Sequence, residues 1–230
     1  MSTVLITGAN RGLGLALATR FAAQPQTHVI ATTRDASSAA ELDALQARNR
    51  GRVEIVRVDV ADAASIAELA RTIAAKNITL DVLVNNAGTA NWKGMGEILE
   101  REISEIVRVN AIGPVLVTQA LLPHVRDGGK IVNVTSILGS IEKAGGTNGV
   151  AYNMSKAALN MFSKCLANEV APRGIAVLAL HPGWVRTRMG GDEAPLSIDQ
   201  SADGMLAVVG ALSLAQSGSY LSYDGSPLPW

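Results

Sequence analysis

The chain has 230 residues, 48% of them hydrophobic and 17% charged, which suits one well-packed domain and excludes a disordered chain. Twenty basic and twenty acidic residues cancel, so no net field recruits nucleic acid or an anionic membrane. The only cysteine, Cys165, leaves no disulfide framework and no cysteine-held metal, and MSTVLITG lacks a secretory pattern, so the expected setting is cytoplasmic.

TVLIT (3–7) opens a series of short, β-branched apolar runs that continues with HVIATT (28–33) and VEIVRV (53–58). DVLV (81–84), KIVNVT (130–135) and IAVLAL (175–180) complete it. Runs this continuously apolar suit strands buried on both faces of a parallel sheet. Helical stretches separate them: GLALATRFAA, SSAAELDALQAR, AASIAELARTIAA and SEIVRVNAIGPVLVTQALLPHV. The alternation predicts an α/β, doubly wound sheet with right-handed crossovers. No repeat or proline-rich linker divides it, so residues 1–230 read as one domain. MLAVVGALSLA is shorter than the roughly 20 apolar residues a bilayer requires and reads as a buried helix. WVRTRMGGDEAPLSID (184–199) follows the sixth strand and is expected to be a substrate loop outside the strands' carboxyl ends.

TGANRGLG (7–14) joins the first strand to the first helix. Gly8, Gly12 and Gly14 permit a tight turn and a close approach of phosphate to backbone, while the helix start supplies donors and a positive dipole. That placement predicts dinucleotide binding, with Asn10, Arg11 and Leu13 in the same turn. The second strand ends in Thr33 and Arg34 before Asp35. Arginines at 11 and 34 would pair with a 2′-phosphate and favour NADP(H); Asp35 on the ribose would instead allow NAD(H). Asp59, beside Val60 at the end of the third strand, is a candidate partner for the adenine amino group.

Tyr152 and Lys156, in AYNMSK, share one helical face one turn apart. Pro114 lies four residues beyond Asn110 in one expected helix and cannot donate to its carbonyl, so a freed carbonyl and a kink are expected there.

TGANRGLG, VDV, NNAG (85–88), VNAIGP (109–114), VNVTS (132–136), YNMSK (152–156) and HPGWVRT (181–187) occur in this order. With them the chain resembles the short-chain dehydrogenase/reductase family over nearly its whole length. SILGSI, HPGWVRTRMGG and YLSYDGSPLPW are most similar to its C-factor-like and carbonyl-reductase subgroup. The resemblance implies a Rossmann-type fold with a mainly parallel seven-stranded sheet, a small carbonyl or alcohol substrate, and a homodimer or homotetramer.

It also implies a tetrad of Asn110, Ser136, Tyr152 and Lys156. Tyr152 would exchange the proton, Lys156 would lower its pKa and hold the nicotinamide ribose, and Ser136 would orient the substrate oxygen. The Asn110 carbonyl would hold a water that relays protons to Lys156. Ser136 aligns with the end of its strand, while Ser140 stands nearer the family's usual spacing to the tyrosine and is the alternative. Asn86, Ala87 and Gly88 would wall the nicotinamide half of the site, and Pro182, Gly183, Val185 and Thr187 would pass its carboxamide. Arg188 departs from the acidic residue expected in the subgroup. A signalling protein that keeps its nucleotide as a structural ligand, or an NAD-dependent alcohol dehydrogenase, is the competing reading.

His28, His124 and His181 are dispersed, without metal spacing, and read as structural. Cys165 reads as a core thiol. Trp92, Trp184 and Trp230 could border a substrate pocket, with Trp184, beside the PG pair, the strongest candidate.

Overall fold

The computed structural model describes residues 2–35 and 40–230. The strands are β1 (Ser2–Ile6), β2 (Thr27–Thr33), β3 (Val53–Arg57), β4 (Leu80–Asn85), β5 (Val125–Val134), β6 (Ala176–His181) and β7 (Ser219–Ser222). The helices are α1 (Gly12–Ala23), α2 (Ala40–Arg48), α3 (Ala63–Ala75), α4 (Glu100–Val107), α5 (Gly113–Leu121), α6 (Val150–Val170) and α7 (Ile198–Ala211). The expected start of the second helix at 37–39 lies outside the described residues.

All strands pair in parallel in the order β3-β2-β1-β4-β5-β6-β7. Side chains alternate across the sheet, as the period of two in a strand requires. Val4, Ile6, Val29, Ala31, Leu178 and Leu180 pack with Leu17 and Phe21 of α1, Leu42 of α2 and Met205 of α7. Leu5, Ile30, Leu83, Ile131 and Val177 face the other way, onto Leu69 of α3, Leu121 of α5 and Leu166 of α6. Burying each of these large aliphatic side chains stabilises the fold by about 1.5–3 kcal/mol.

β5 begins earlier than its apolar run because Val125 already pairs with Leu80. The ladder then shifts register before Lys130 pairs with Val82. The chain absorbs this shift through Gly128, whose φ of +71° favours glycine, so a DGG stretch that looks like a turn lies inside a strand.

α4 and α5 form one continuous helical stretch, Glu100–His124, long and apolar enough to cross a membrane by composition. Here it packs against α3 and α6. The break expected at Pro114 takes the form of a π segment at Arg108–Ile112, in which the Gly113 N–H reaches back to the Arg108 carbonyl. A proline that cannot donate is accommodated by widening the turn before it.

The strand order reverses between β1 and β4. Ligands of open α/β sheets bind in the crevice at such a switch point, beyond the strands' carboxyl ends. The glycine turn after β1 and the NNAG segment after β4 meet there.

Candidate active site

The glycine turn and NNAG are locked together. Asn86 donates through Nδ2 to the carbonyls of Thr7 (2.9 Å) and Gly8 (3.1 Å), while the Thr7 hydroxyl accepts from the N–H groups of Asn86 and Ala87. Gly8 has φ +65°, and a Cβ there would lie 2.9 Å from the Cα of Ala87. A Cβ on Gly14 would fall 2.2 Å from the Gly8 carbonyl oxygen, so the turn tolerates only glycine. Arg11 caps α1 without a side-chain hydrogen bond, and its first turn holds no acidic residue. By contrast, α3 and α7 are capped by Asp62 and Ser197. The open donors and dipole of α1 therefore fit an anionic diphosphate.

Thr187 closes the opposite side, its methyl 3.9 Å from where a Gly12 Cβ would stand. Arg11 and Arg34 are both exposed at this end. Thr33 is buried and its hydroxyl donates to the Asp35 carbonyl at 3.0 Å. Asp59 lies just beyond β3 and accepts from the Ala61 N–H at 2.9 Å, while a Cβ on Gly113 would lie 2.8 Å from the Val60 carbonyl.

At the other end, α6 aims Tyr152 and Lys156 inward. Lys156 is 4% exposed, donates from Nζ to the Val134 carbonyl at 2.8 Å, and lies 5.7 Å from the Tyr152 ring centre. Burial lowers its pKa to about 8. Burial also raises the pKa of Tyr152, with the nearby Ser136 hydroxyl opposing. Burial of the phenol is the largest influence on Tyr152, and its net effect keeps the proton on.

Asn110 is fully buried. Its Nδ2 donates to the Thr89 carbonyl (2.8 Å) and the Ser155 hydroxyl (3.0 Å), and its Oδ1 accepts from the Thr89 N–H (2.8 Å). Gly88 runs over this group; a Cβ on it would stand 3.4 Å from Asn110 Oδ1 and 3.8 Å from Lys156 Nζ. Asn110, Ser136, Tyr152, Lys156 and Gly88 thus share one locus beyond β4 and β5.

A family model described as short chain dehydrogenase matches residues 2–195. The chain belongs to the short chain dehydrogenase family. It is 40% identical to the C-signal of Myxococcus xanthus over 154 residues, 66% of this chain and 93% of that protein. An NADPH-bound carbonyl reductase from chicken fatty liver superposes with a TM-score of 0.94 at 35% identity, covering 100% of this chain and 99% of that one. The carbonyl reductase Sniffer of D. melanogaster gives 0.93 at 33% identity, covering 100% of both.

Within this short chain dehydrogenase the two candidate serines differ in what holds them. Ser136 starts the turn after β5, accepts from the Leu138 N–H at 3.2 Å and reaches Tyr152. Ser140 points away, donating to the Trp230 carbonyl at 3.1 Å and accepting from the Lys143 N–H at 3.1 Å. Geometry favours Ser136.

The tryptophans also separate. Trp92, not Trp184, stands against Tyr152, with ring centres 5.4 Å apart at 61° and half its surface exposed. It is seated on Gly149, where a Cβ would come within 2.8 Å of the indole. Trp184 donates to the Gly190 carbonyl of its own loop at 2.8 Å. The loop expected over 184–199 ends at Ser197, where α7 begins, and is closed on itself: Val185 bridges Leu196, and Arg186 donates to the Ala194 carbonyl. Pro182 accepts from the Ser201 hydroxyl at 2.6 Å, and Gly183 turns at φ +83° with no room for a Cβ beside Leu196. Val185 is buried and Arg188 exposed.

Cys165 is exposed rather than core, because it precedes buried Leu166 on the outward side of α6, near exposed Met161. His181 is structural but close to the site, its Nδ1 accepting from the Ile137 N–H at 3.2 Å. Asn160, outside every quoted motif, and Tyr220, the first residue of YLSYDGSPLPW, also hold the serine turn. Asn160 donates to the Gly139 carbonyl and accepts from the Thr135 hydroxyl. Its signal in the sequence is its place one turn beyond Lys156, on the stripe of Tyr152 and Lys156.

Proposed function

We propose that this oxidoreductase reduces an aldehyde or ketone to an alcohol, reversibly, with NADP(H) as its cofactor. The observation that carries the reading is the buried Tyr152 phenol, close to Ser136 and on one helical face with the buried Lys156 ammonium. When bound, reduced nicotinamide supplies hydride to the carbonyl carbon. Ser136 donates a hydrogen bond to the carbonyl oxygen and holds it beside Tyr152, whose proton neutralises the developing alkoxide. The phenolate left behind is stabilised by Lys156, which the Val134 carbonyl keeps on the same side. Asn110 pins the Thr89 segment to α6, and Gly88 leaves backbone close to Lys156. The Trp92 face offers an apolar wall for the substrate.

Exposed Arg11 and Arg34 support a 2′-phosphate, and the chicken carbonyl reductase, at 35% identity, is bound to NADPH. The likeness to the C-signal favours a signalling reading, while the nearness of Lys156 to the Tyr152 ring supports turnover. Met154 and Met161, exposed beside Cys165 on α6, support assembly of copies of this chain, which light scattering tests directly. Turnover of NADPH and NADH across aldehydes, ketones and quinones is the deciding experiment. NADPH-dependent loss of a carbonyl substrate supports the proposal, and no turnover with either cofactor across the panel overturns it.

A further inference from the structure

The turn that carries Ser136 is held by β7 and by the segment that follows it. Tyr220 of β7 is 2% exposed and donates from Oη to the Ser136 carbonyl at 2.5 Å. The Trp230 ring lies over Tyr220, with centres 5.2 Å apart and planes 31° apart. The Trp230 carbonyl accepts from the Ser140 hydroxyl and from the Glu142 N–H, each at 3.1 Å. Both ends of the turn are therefore tied to one aromatic pair. The Leu228 N–H donates to the Tyr220 carbonyl at 2.8 Å, fixing the segment back onto β7. On the inner side Gly139 fits against α6, where a Cβ would come within 2.7 Å of the Lys156 carbonyl carbon.

We propose that Tyr220, backed by Trp230, is a positioning residue that aims the Ser136 hydroxyl at the reacting oxygen. The inference rests on the catalytic reading of Ser136 given above. A hydroxyl on a short turn is useful only if the backbone beneath it is fixed, because displacement of a donor by about 1 Å forfeits much of its effect. The Tyr220 bond fixes the carbonyl of the serine itself, in a buried setting with little competition from water. Burial raises the Tyr220 pKa to about 12, so its hydroxyl remains a donor across the working pH range.

The test is a double-mutant cycle measured on the full chain with NADPH and a carbonyl from the active panel. Tyr220→Phe is expected to lower kcat about 10-fold, with the cofactor Kd unchanged. In a Ser136→Ala background it is expected to have no further effect, since the group it aims is gone. Trp230→Leu, which keeps the main-chain carbonyl, is expected to give a smaller loss of the same kind and covers the case of a Tyr220→Phe protein that does not fold. Equal losses in both backgrounds, or a wild-type kcat in folded Tyr220→Phe, overturn the positioning role while leaving the serine's role intact. Full activity in Ser136→Ala overturns both.

Discussion

Lys156 donates its ammonium to the Val134 carbonyl, 2.8 Å away, and is 4% exposed, so the charge is carried at the cost of desolvation. Its pKa falls to about 8 from the ordinary 10.5. The folded state then binds fewer protons than the unfolded chain between these values, and stability rises with pH across that window. The rise amounts to about 3 kcal/mol. Urea unfolding at pH 7.5 and pH 10.5 is expected to show it in the wild type and not in Lys156→Met. An equal pH response in the variant would assign the rise to another group.

Tyr152 is kept protonated by burial, which suits a proton donor in carbonyl reduction. The reductive rate is expected to be flat through neutrality and to fall at alkaline pH, while the reverse oxidation rises there. Tyr152→Phe is expected to cost about 10²–10⁴-fold in kcat, the range of general acid–base catalysis, with NADPH binding retained by titration calorimetry. A variant within a few-fold of the wild type would remove the phenol from the chemistry.

Most of the fold was legible before the structure, and each exception has its own physical cause. The first six strands are largely apolar, so the runs from TVLIT to IAVLAL marked them within a residue or two, apart from the glycine-bearing start of β5, whereas no run marked the short β7. The position of the glycine turn and the shared face of Tyr152 and Lys156 were legible because they depend on local spacing alone. Trp92 against Tyr152 and Tyr220 under Ser136 join residues 60 and 84 positions apart, and tertiary packing alone brings them together. Cys165 was misplaced because α6 carries apolar residues on its outward face as well, exposed Met154 and Met161 among them. Composition could not tell that face from the core.

Ser136 and Ser140 are separable by substitution. Ser136→Ala removes the hydroxyl beside Tyr152 and is expected to cost about 10²–10³ in kcat, as loss of one oxyanion donor does. Ser140→Ala removes a hydrogen bond to the Trp230 carbonyl and is expected to lower stability by about 1 kcal/mol with a far smaller change in kcat. The reverse ranking in steady-state kinetics would move the catalytic assignment to Ser140.

Arg34 follows β2 with an exposed side chain, and its own carbonyl accepts from Arg57 at 3.3 Å, which fixes the backbone and leaves the guanidinium outward. Arg34→Ala is expected to raise the KM for NADPH about 10–100-fold, the value of a charge-assisted hydrogen bond, and to leave NADH unchanged. Parallel losses with both cofactors would show that the arginine does not read the 2′-phosphate.

His181 is expected to contribute to the acid limit of stability. Its Nδ1 accepts from the Ile137 N–H at 3.2 Å, so it must be unprotonated there for the serine turn to hold. Burial lowers its pKa to about 4, with Asp224 opposing, against 6.5 in the unfolded chain. Above 6.5 neither state binds the proton; between 6.5 and 4 the unfolded chain binds it and the folded one does not. Stability contributed by the neutral ring is therefore lost as pH falls through that window, by up to about 3 kcal/mol. Asparagine keeps an acceptor near the same place and does not titrate. His181→Asn is expected to match the wild type at pH 7 and to lose less stability at pH 4.5 in urea unfolding. An identical acid limb in the two proteins would place the titrating group elsewhere.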